Sequence, residues 1–315
     1  MKKLLAFFLS AALIFTLAAC GTNSATYTVG ILEYSSHEAQ SLAVQGFMDV
    51  LTEKLGDEID FDKQHASGDA NSATLIANNF VTRNVDLILC DNTQSLQIAA
   101  AATATIPVLG AAVTDYAQAL DVSLASEMTG INVSGTSDLA PLDRQAEMIV
   151  ELFPEAEHVG LIYCSSEVNS LYQVNAVQQY LLSKGISCEE YAFTDSNDLA
   201  AAVQTACEFS DVIYLPTDNT IAECTGIISD ICYTAKTPVI AGEKGICSGC
   251  GLATLSIDYY ELGRKTGLMA YKILTEGGDV YSMPIEYDEN CTKMYNPVIA
   301  EELGITLPGD YITIE

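Results

Sequence analysis

Hydroxyls, amides and carboxylates cluster at one recurring place in this chain, immediately after a short apolar run. The sharpest case is Thr217-Asp218-Asn219-Thr220, which follows Val212 to Pro216. Ser35, Ser36 and His37 follow Val29 to Tyr34 in the same way, and Asp91, Asn92 and Thr93 follow Val85 to Cys90. Thr114 and Asp115 follow Ile106 to Val113; Ser165, Ser166 and Glu167 follow Val159 to Cys164; Gly242 and Glu243 follow Pro238 to Ala241. Runs this short, rich in β-branched residues and bounded by turn formers, read as strands buried on both faces. Open parallel sheets bind ligands at the carboxyl ends of such strands, where loops and helix N-termini converge. The side chains gathered there suit holding a small polar molecule. An enzyme has little to work with: three histidines, no Gly-rich phosphate loop, no Gly-x-Ser-x-Gly turn and no metal-ligand cluster. No cofactor or metal is expected.

The elements that must position these residues alternate. Strand 27–34, a helix closed by Gly56, strand 59–65, helix 71–83, strand 85–90, an Ala-rich helix and strand 106–113 make a β-α-β series, the signature of a parallel sheet with right-handed crossovers. The segment 129–138 breaks the pattern and reads as a crossing. A second series then runs from helix 142–152 to strand 238–241, and strand 251–257 and helix 259–276 follow. The expected fold is α/β, two Rossmann-like lobes of parallel sheet flanked by helices and joined by a multi-strand hinge. The expected division places 26–133 and 259–282 in one lobe, and 134–258 and 283–315 in the other. Asp258 and Tyr259 read as hinge residues.

Lys2 and Lys3, an apolar run to Ala19, then Cys20 and Gly21 make a secretory leader. Leu17-Ala18-Ala19-Cys20 resembles a bacterial lipobox, which implies cleavage before Cys20 and lipidation of its thiol, with 20–25 as a tether. The formal net charge of −29 excludes phosphate-driven nucleic-acid binding and argues against electrostatic docking on anionic lipid, both of which need clustered Lys and Arg. Of ten cysteines, nine remain if Cys20 is lipidated, an odd number that cannot all pair. Cys247-Ser248-Gly249-Cys250 has redox or zinc spacing, but no second pair or nearby His completes a four-ligand site, so a solvent-side, disulfide-capable turn is expected.

Several stretches together resemble one family. They are Gly30-Ile31-Leu32 with His37, Ser67-Gly68-Asp69, Thr93 with Gln97, Val113-Thr114-Asp115, Ser137-Asp138, and Ser166-Glu167 with Asn169-Ser170. To these add Pro216 through Thr220, Gly251 through Gly263, and the closing segment Ala300 to Pro308. The chain is similar over its whole mature length to the substrate-binding lipoproteins of ABC importers in the tryptophan/tyrosine group. The resemblance implies a type I periplasmic-binding-protein fold. It also implies capture of a free amino acid, an aromatic one, by hinge closure, and delivery to a permease with its ATPase. The protein would be a monomer, held at the outer face of the cytoplasmic membrane by lipid alone. The sequence departs from the family at Asp91, Asn92 and Gln94, where small apolar residues and Pro are usual, and at Glu38. Those changes fall in ligand loops and bear on which ligand is bound. A nucleoside or another small carboxylate as cargo, or a sensor feeding a membrane kinase, are the alternatives.

A bound amino acid needs donors for its carboxylate, an acceptor for its ammonium and a wall for its side chain. Thr93, Thr114, Ser165 and Ser166 are the expected donors, at turns where helix dipoles favour anions. Asp218 and Glu243 are the leading expected ammonium partners, with Glu167 and Asp115 behind them. Asn169 and Asn219 can bridge both ends of a zwitterion, since an amide donates and accepts. His37 is a possible ligand contact, and Tyr34, Tyr116, Tyr163 and Tyr172 are possible walls. Each Ser, Thr or Asp here has a plain alternative use as a helix N-cap.

Overall fold

The computed structural model describes residues 25–35, 37–288 and 290–314; the expected leader, Cys20 and nearly all of the tether lie outside them. The first half contains β1 Tyr27–Glu33, α1 Glu38–Leu55, β2 Ile59–His65, α2 Ala70–Arg83, β3 Leu87–Cys90, α3 Thr93–Ala102, β4 Val108–Ala111, α4 Tyr116–Leu120 and β5 Val133–Ser137. The second series is α5 Leu142–Leu152, β6 His158–Cys164, α6 Val168–Ser183, β7 Ser187–Phe193, α7 Ser196–Phe209, β8 Val212–Leu215, α8 Asn219–Glu223 and α9 Thr225–Ala235. It continues with β9 Val239–Ala241, α10 Lys244–Cys250, β10 Ala253–Ser256, α11 Tyr259–Glu276, β11 Glu286–Tyr287, β12 Thr292–Tyr295, α12 Pro297–Leu303 and β13 Ile312–Thr313.

The strands form two sheets. The first has the order β11-β5-β4-β3-β1-β2, parallel throughout. The second has the order β13-β12-β10-β9-β8-β6-β7, with β10 and β12 its antiparallel pair. Both faces of each sheet are covered, which is why the central strands are continuous apolar runs. In the first sheet Phe47, Leu51 and Met269 of α1 and α11 pack on Val29, Ile31 and Leu89. Phe80, Leu96 and Tyr116 cover the opposite face. In the second, Ile149, Val174 and Val177 fill one face and Leu199, Val203 and Ile228 the other.

Helix α11 returns to the first sheet by backbone contact with α1. A Cβ on Gly263 would run into the Ala43 carbonyl, and one on Gly46 into that of Tyr260. Gly at these positions lets the two helices close with no side chain between them.

Two segments differ from expectation. Val133–Ser137, expected as part of a crossing, is a fully buried strand of the first sheet, paired with β4. Its Ser-Gly-Thr-Ser content hides the apolar signature, because the hydroxyls are satisfied inside: Thr136 meets Thr266 at 2.7 Å, and Ser137 donates to the Thr114 carbonyl at 2.8 Å. β11 also joins this sheet, beside β5. The first sheet thus extends past both expected boundaries, 133 and 282. The stretch between β8 and β9 holds two helices, α8 and α9, separated at Cys224.

Candidate functional site

The chain passes between the sheets after β5, β10 and β11, and the loops leaving β1, β3 and β4 face those leaving β6 and β8. Between them lies a tight polar cavity of about 10 Å³. His37, Gln40, Asn92, Thr93, Thr114 and Asp138 line it from the first half, Asn169, Thr217 and Asn219 from the second, and Tyr259 from a crossing.

Two buried amide atoms at this cavity have no hydrogen-bond partner among the described residues, Asn92 Nδ2 and Asn169 Oδ1. Their orientations are set by the other half of each amide. Asn92 caps α3: its Oδ1 accepts from the Ser95 amide at 2.9 Å, and Ser95 Oγ accepts from the Asn92 amide at 3.0 Å. That reciprocal capping box occupies the carbonyl half of the amide and leaves the NH2 group without a partner. Asn169 Nδ2 donates to the Thr217 carbonyl at 3.1 Å and to Glu167 Oε2 at 3.3 Å, which leaves its carbonyl oxygen open. A buried polar atom without a partner costs roughly 1–3 kcal/mol, so such atoms call for a ligand.

Asp138 supplies the charge. It directly follows β5, and its carboxylate accepts from Thr114 Oγ1 at 3.0 Å and from the Tyr259 hydroxyl at 3.1 Å. Burial raises its pKa, against the pull of those two hydroxyls. None of the ion pairs among the described residues involves it. A cationic group in the cavity would favour its ionised form.

Asn219, the first residue of α8, ties the two halves together. Its Oδ1 accepts from Gln40 Nε2 at 2.5 Å and meets His37 Nε2 at 3.2 Å; its Nδ2 donates to Gln94 Oε1 at 3.0 Å and to Glu167 Oε2 at 2.7 Å. Glu167 in turn accepts from the amides of Asn219 and Thr220, each at 3.0 Å, and from Thr220 Oγ1 at 2.8 Å. Burial lowers the pKa of His37, while Asn219 and the Glu167 charge pull it back up.

Of the residues expected from sequence, His37, Thr93, Thr114, Asn169 and Asn219 line the cavity, and Glu167 stands directly behind Asn169 and Asn219. Five do not line it. Asp218 is buried, but its oxygens accept from the Cys164 amide at 2.8 Å and the Ile221 amide at 2.9 Å. It caps α8 and ties that cap to β6. Burial and the neighbouring Glu167 raise its pKa. Glu243 caps α10 through the Gly245 and Ile246 amides, both at 2.5 Å, and borders a separate groove. Asp115 caps α4. Ser165 and Ser166 are exposed, and each donates to a backbone carbonyl of the β7 end, Phe193 and Thr194.

Two of the four tyrosines expected as walls are tied up elsewhere. Tyr116 donates inside the first half to the Gly110 and Thr136 carbonyls, and Tyr163 to Glu190. Cys247 and Cys250, expected on a solvent-side turn, are buried free thiols of α10, and each donates to a backbone carbonyl, of Gly251 and Ile246. The cavity-lining residues that sequence reasoning did not name as ligand contacts are Asn92, Asp138, Gln40 and Tyr259. Asp138 had a usable signal: it follows a strand just as Asp218 does, once β5 is recognised as one.

Two mainly parallel sheets whose strand ends face one another across a polar cavity define a bilobed, type I periplasmic-binding-protein architecture. The chain belongs to the ABC transporter substrate binding protein family, whose model matches residues 28–313. It is 37% identical to the "Tyrosine-binding protein" of Clostridioides difficile (strain R20291) over 260 residues, 82% of this chain and 75% of that one. A Streptococcus pneumonia ABC domain in complex with L-Trp superposes with a TM-score of 0.86 at 30% identity, covering 91% of this chain and all of that one. The ligand-free, open form of a Clostridium difficile substrate-binding protein with adhesive properties gives 0.72 at 36% identity, covering 92% and 99%. Similarity of shape runs opposite to similarity of sequence. The family makes this chain the extracytoplasmic, small-molecule-binding partner of a transporter permease.

Proposed function

We propose that this chain binds a free aromatic amino acid between its two sheets, closes on it, and releases it to the permease. The supporting observation is a cavity lined by Asn92, Asn169 and Asp138, with Asn92 Nδ2 and Asn169 Oδ1 left without partners. A zwitterionic head group complements all three. Its carboxylate accepts from Asn92 Nδ2, with Thr93 at the N-terminus of α3 beside it; its ammonium donates to Asn169 Oδ1 and faces Asp138. The aromatic side chain is carried over from the tyrosine-binding relative and the L-Trp complex. The moving bodies in this reading are residues 26–137 with 259–287 and residues 142–256 with 292–314, turning about the three crossings. Closure is stabilised by the contacts a ligand makes to both bodies at once.

The same reading keeps the protein non-catalytic and monomeric. It also places lipid on Cys20, the last residue of the lipobox-like Leu17 to Cys20, at the outer face of the cytoplasmic membrane. Thermal unfolding against the standard amino acids and nucleosides tests the ligand class. A ligand at a hundred times its dissociation constant adds about 2.7 kcal/mol. Stabilisation by Tyr, Trp or Phe is expected, and stabilisation by a nucleoside alone would refute the reading.

A further inference from the structure

Nine cysteines are described, and all are free thiols. Two of them face each other: Cys207, near the end of α7, and Cys232, near the end of α9, with sulfurs 3.7 Å apart. Cys207 is half-buried and reachable from the surface of α7, while Cys232 is buried behind it. A cleft lined by Cys232, Tyr233, Thr237 and Glu302 opens beside the pair. Of the other thiols, Cys247 and Cys250 are tied to backbone carbonyls, and Cys90 and Cys164 are buried.

We propose that Cys207 and Cys232 form a dithiol site that reacts with small-molecule disulfides and closes into a cross-link between α7 and α9. The Cys207 thiolate attacks one sulfur of the incoming disulfide; a Cys207 mixed disulfide forms and the first small thiol leaves. Cys232, at contact distance, then attacks Cys207 Sγ through its own thiolate, and the second small thiol leaves. The two protein protons end on the two departing thiols, and the two electrons reduce the small disulfide. The order of attack follows from access, because Cys207 is the outer member. The hydrogen bond from Cys232 lowers the Cys207 pKa, which favours it as the nucleophile, whereas that same bond and burial raise the pKa of Cys232. An extracytoplasmic setting permits the oxidation to persist.

The site lies away from the cavity. Cys207 and Cys232 precede β8 and β9, whereas the ligand loops leave the opposite, carboxyl ends of the strands. Closing the bond should therefore stiffen the second half without touching the ligand. By loop-closure entropy alone, melting should rise by roughly 5–10 °C.

The test exposes the folded chain to oxidised glutathione, then counts thiols after denaturation and maps peptides cut at acidic residues. Cleavage after Glu208 and Asp230 puts Cys207 and Cys232 on separate fragments. The expected result is the loss of two thiols, a 207–232 cross-linked peptide and the rise in melting temperature. In Cys232→Ser the reaction should stop at one glutathione on Cys207, and Cys207→Ser should lose no thiols. A wild-type chain that keeps every thiol, or one that pairs elsewhere, would overturn the site.

Discussion

Asn92 and Asn169 reach one cavity from opposite halves of the molecule, the first presenting a free N–H donor and the second a free carbonyl oxygen. Neither side chain can turn without breaking bonds of its own, to Ser95 in one case and to Thr217 and Glu167 in the other. The pair thus has a built-in polarity, donor on one side and acceptor on the other, which suits a molecule carrying both a carboxylate and an ammonium.

Asp138→Asn keeps the shape of the side chain and removes its charge. Loss of one charge-assisted contact to an ammonium is worth roughly 1.5–3 kcal/mol, so affinity should fall about 10- to 100-fold while the folded state remains. Calorimetric titration alongside circular dichroism checks both halves of that statement. Unchanged affinity would remove Asp138 from the ligand site.

Asp218→Ala should behave in the opposite way. Its carboxylate holds the Cys164 and Ile221 amides, so its removal leaves buried donors unpaired and strips the α8 cap. Stability should drop by about 2–4 kcal/mol, read from denaturant midpoints. Affinity of the remaining folded protein should change less than in Asp138→Asn.

Asn219→Ala deletes the side chain that joins His37, Gln40 and Gln94 to Glu167 across the cleft. The ligand-free chain should shift toward an open arrangement, visible in small-angle scattering as a larger radius of gyration. Saturating ligand should restore the wild-type value. Identical scattering of the two ligand-free proteins would show that these bonds do not hold the halves together.

The ligand-free protein should melt at a higher temperature at pH 5 than at pH 8. Burial, partly offset by hydrogen bonds, raises the pKa values of Asp91 and Glu243 to about 7, from 3.8 and 4.5. Between those values and the raised ones the folded state keeps protons that the unfolded chain has already released. Stability therefore falls as pH climbs from about 4 through about 7. A series of melting scans in that range checks the sign; a rise toward pH 8 would contradict it.

Much of this was legible in the residues. The strand ends at Thr93, Thr114, Asn169 and Asn219 were visible because buried parallel strands are unmistakably apolar and stop abruptly in polar clusters. Illegible were the details that depend on partners. Asp218 and Asp138 both follow strands, and only the positions of the Cys164 and Ile221 amides separate a cap from a ligand group. β5 was hidden because its hydroxyls are satisfied by Thr266 and by neighbouring carbonyls, which no one-dimensional pattern displays. Gln40 sits within an ordinary amphipathic helix, and its meeting with Asn219 joins residues 179 positions apart.

The central claim is that the cavity reads a free α-amino acid head group. Titrating the ligand-free protein with tyrosine, tryptophan and phenylalanine, then with their N-acetyl and methyl ester derivatives, tests it most directly. The account predicts binding of at least one free amino acid and a loss of 10-fold or more when either end of the zwitterion is blocked, since each block leaves a buried group unpaired. Equal binding of the blocked and free forms would contradict it.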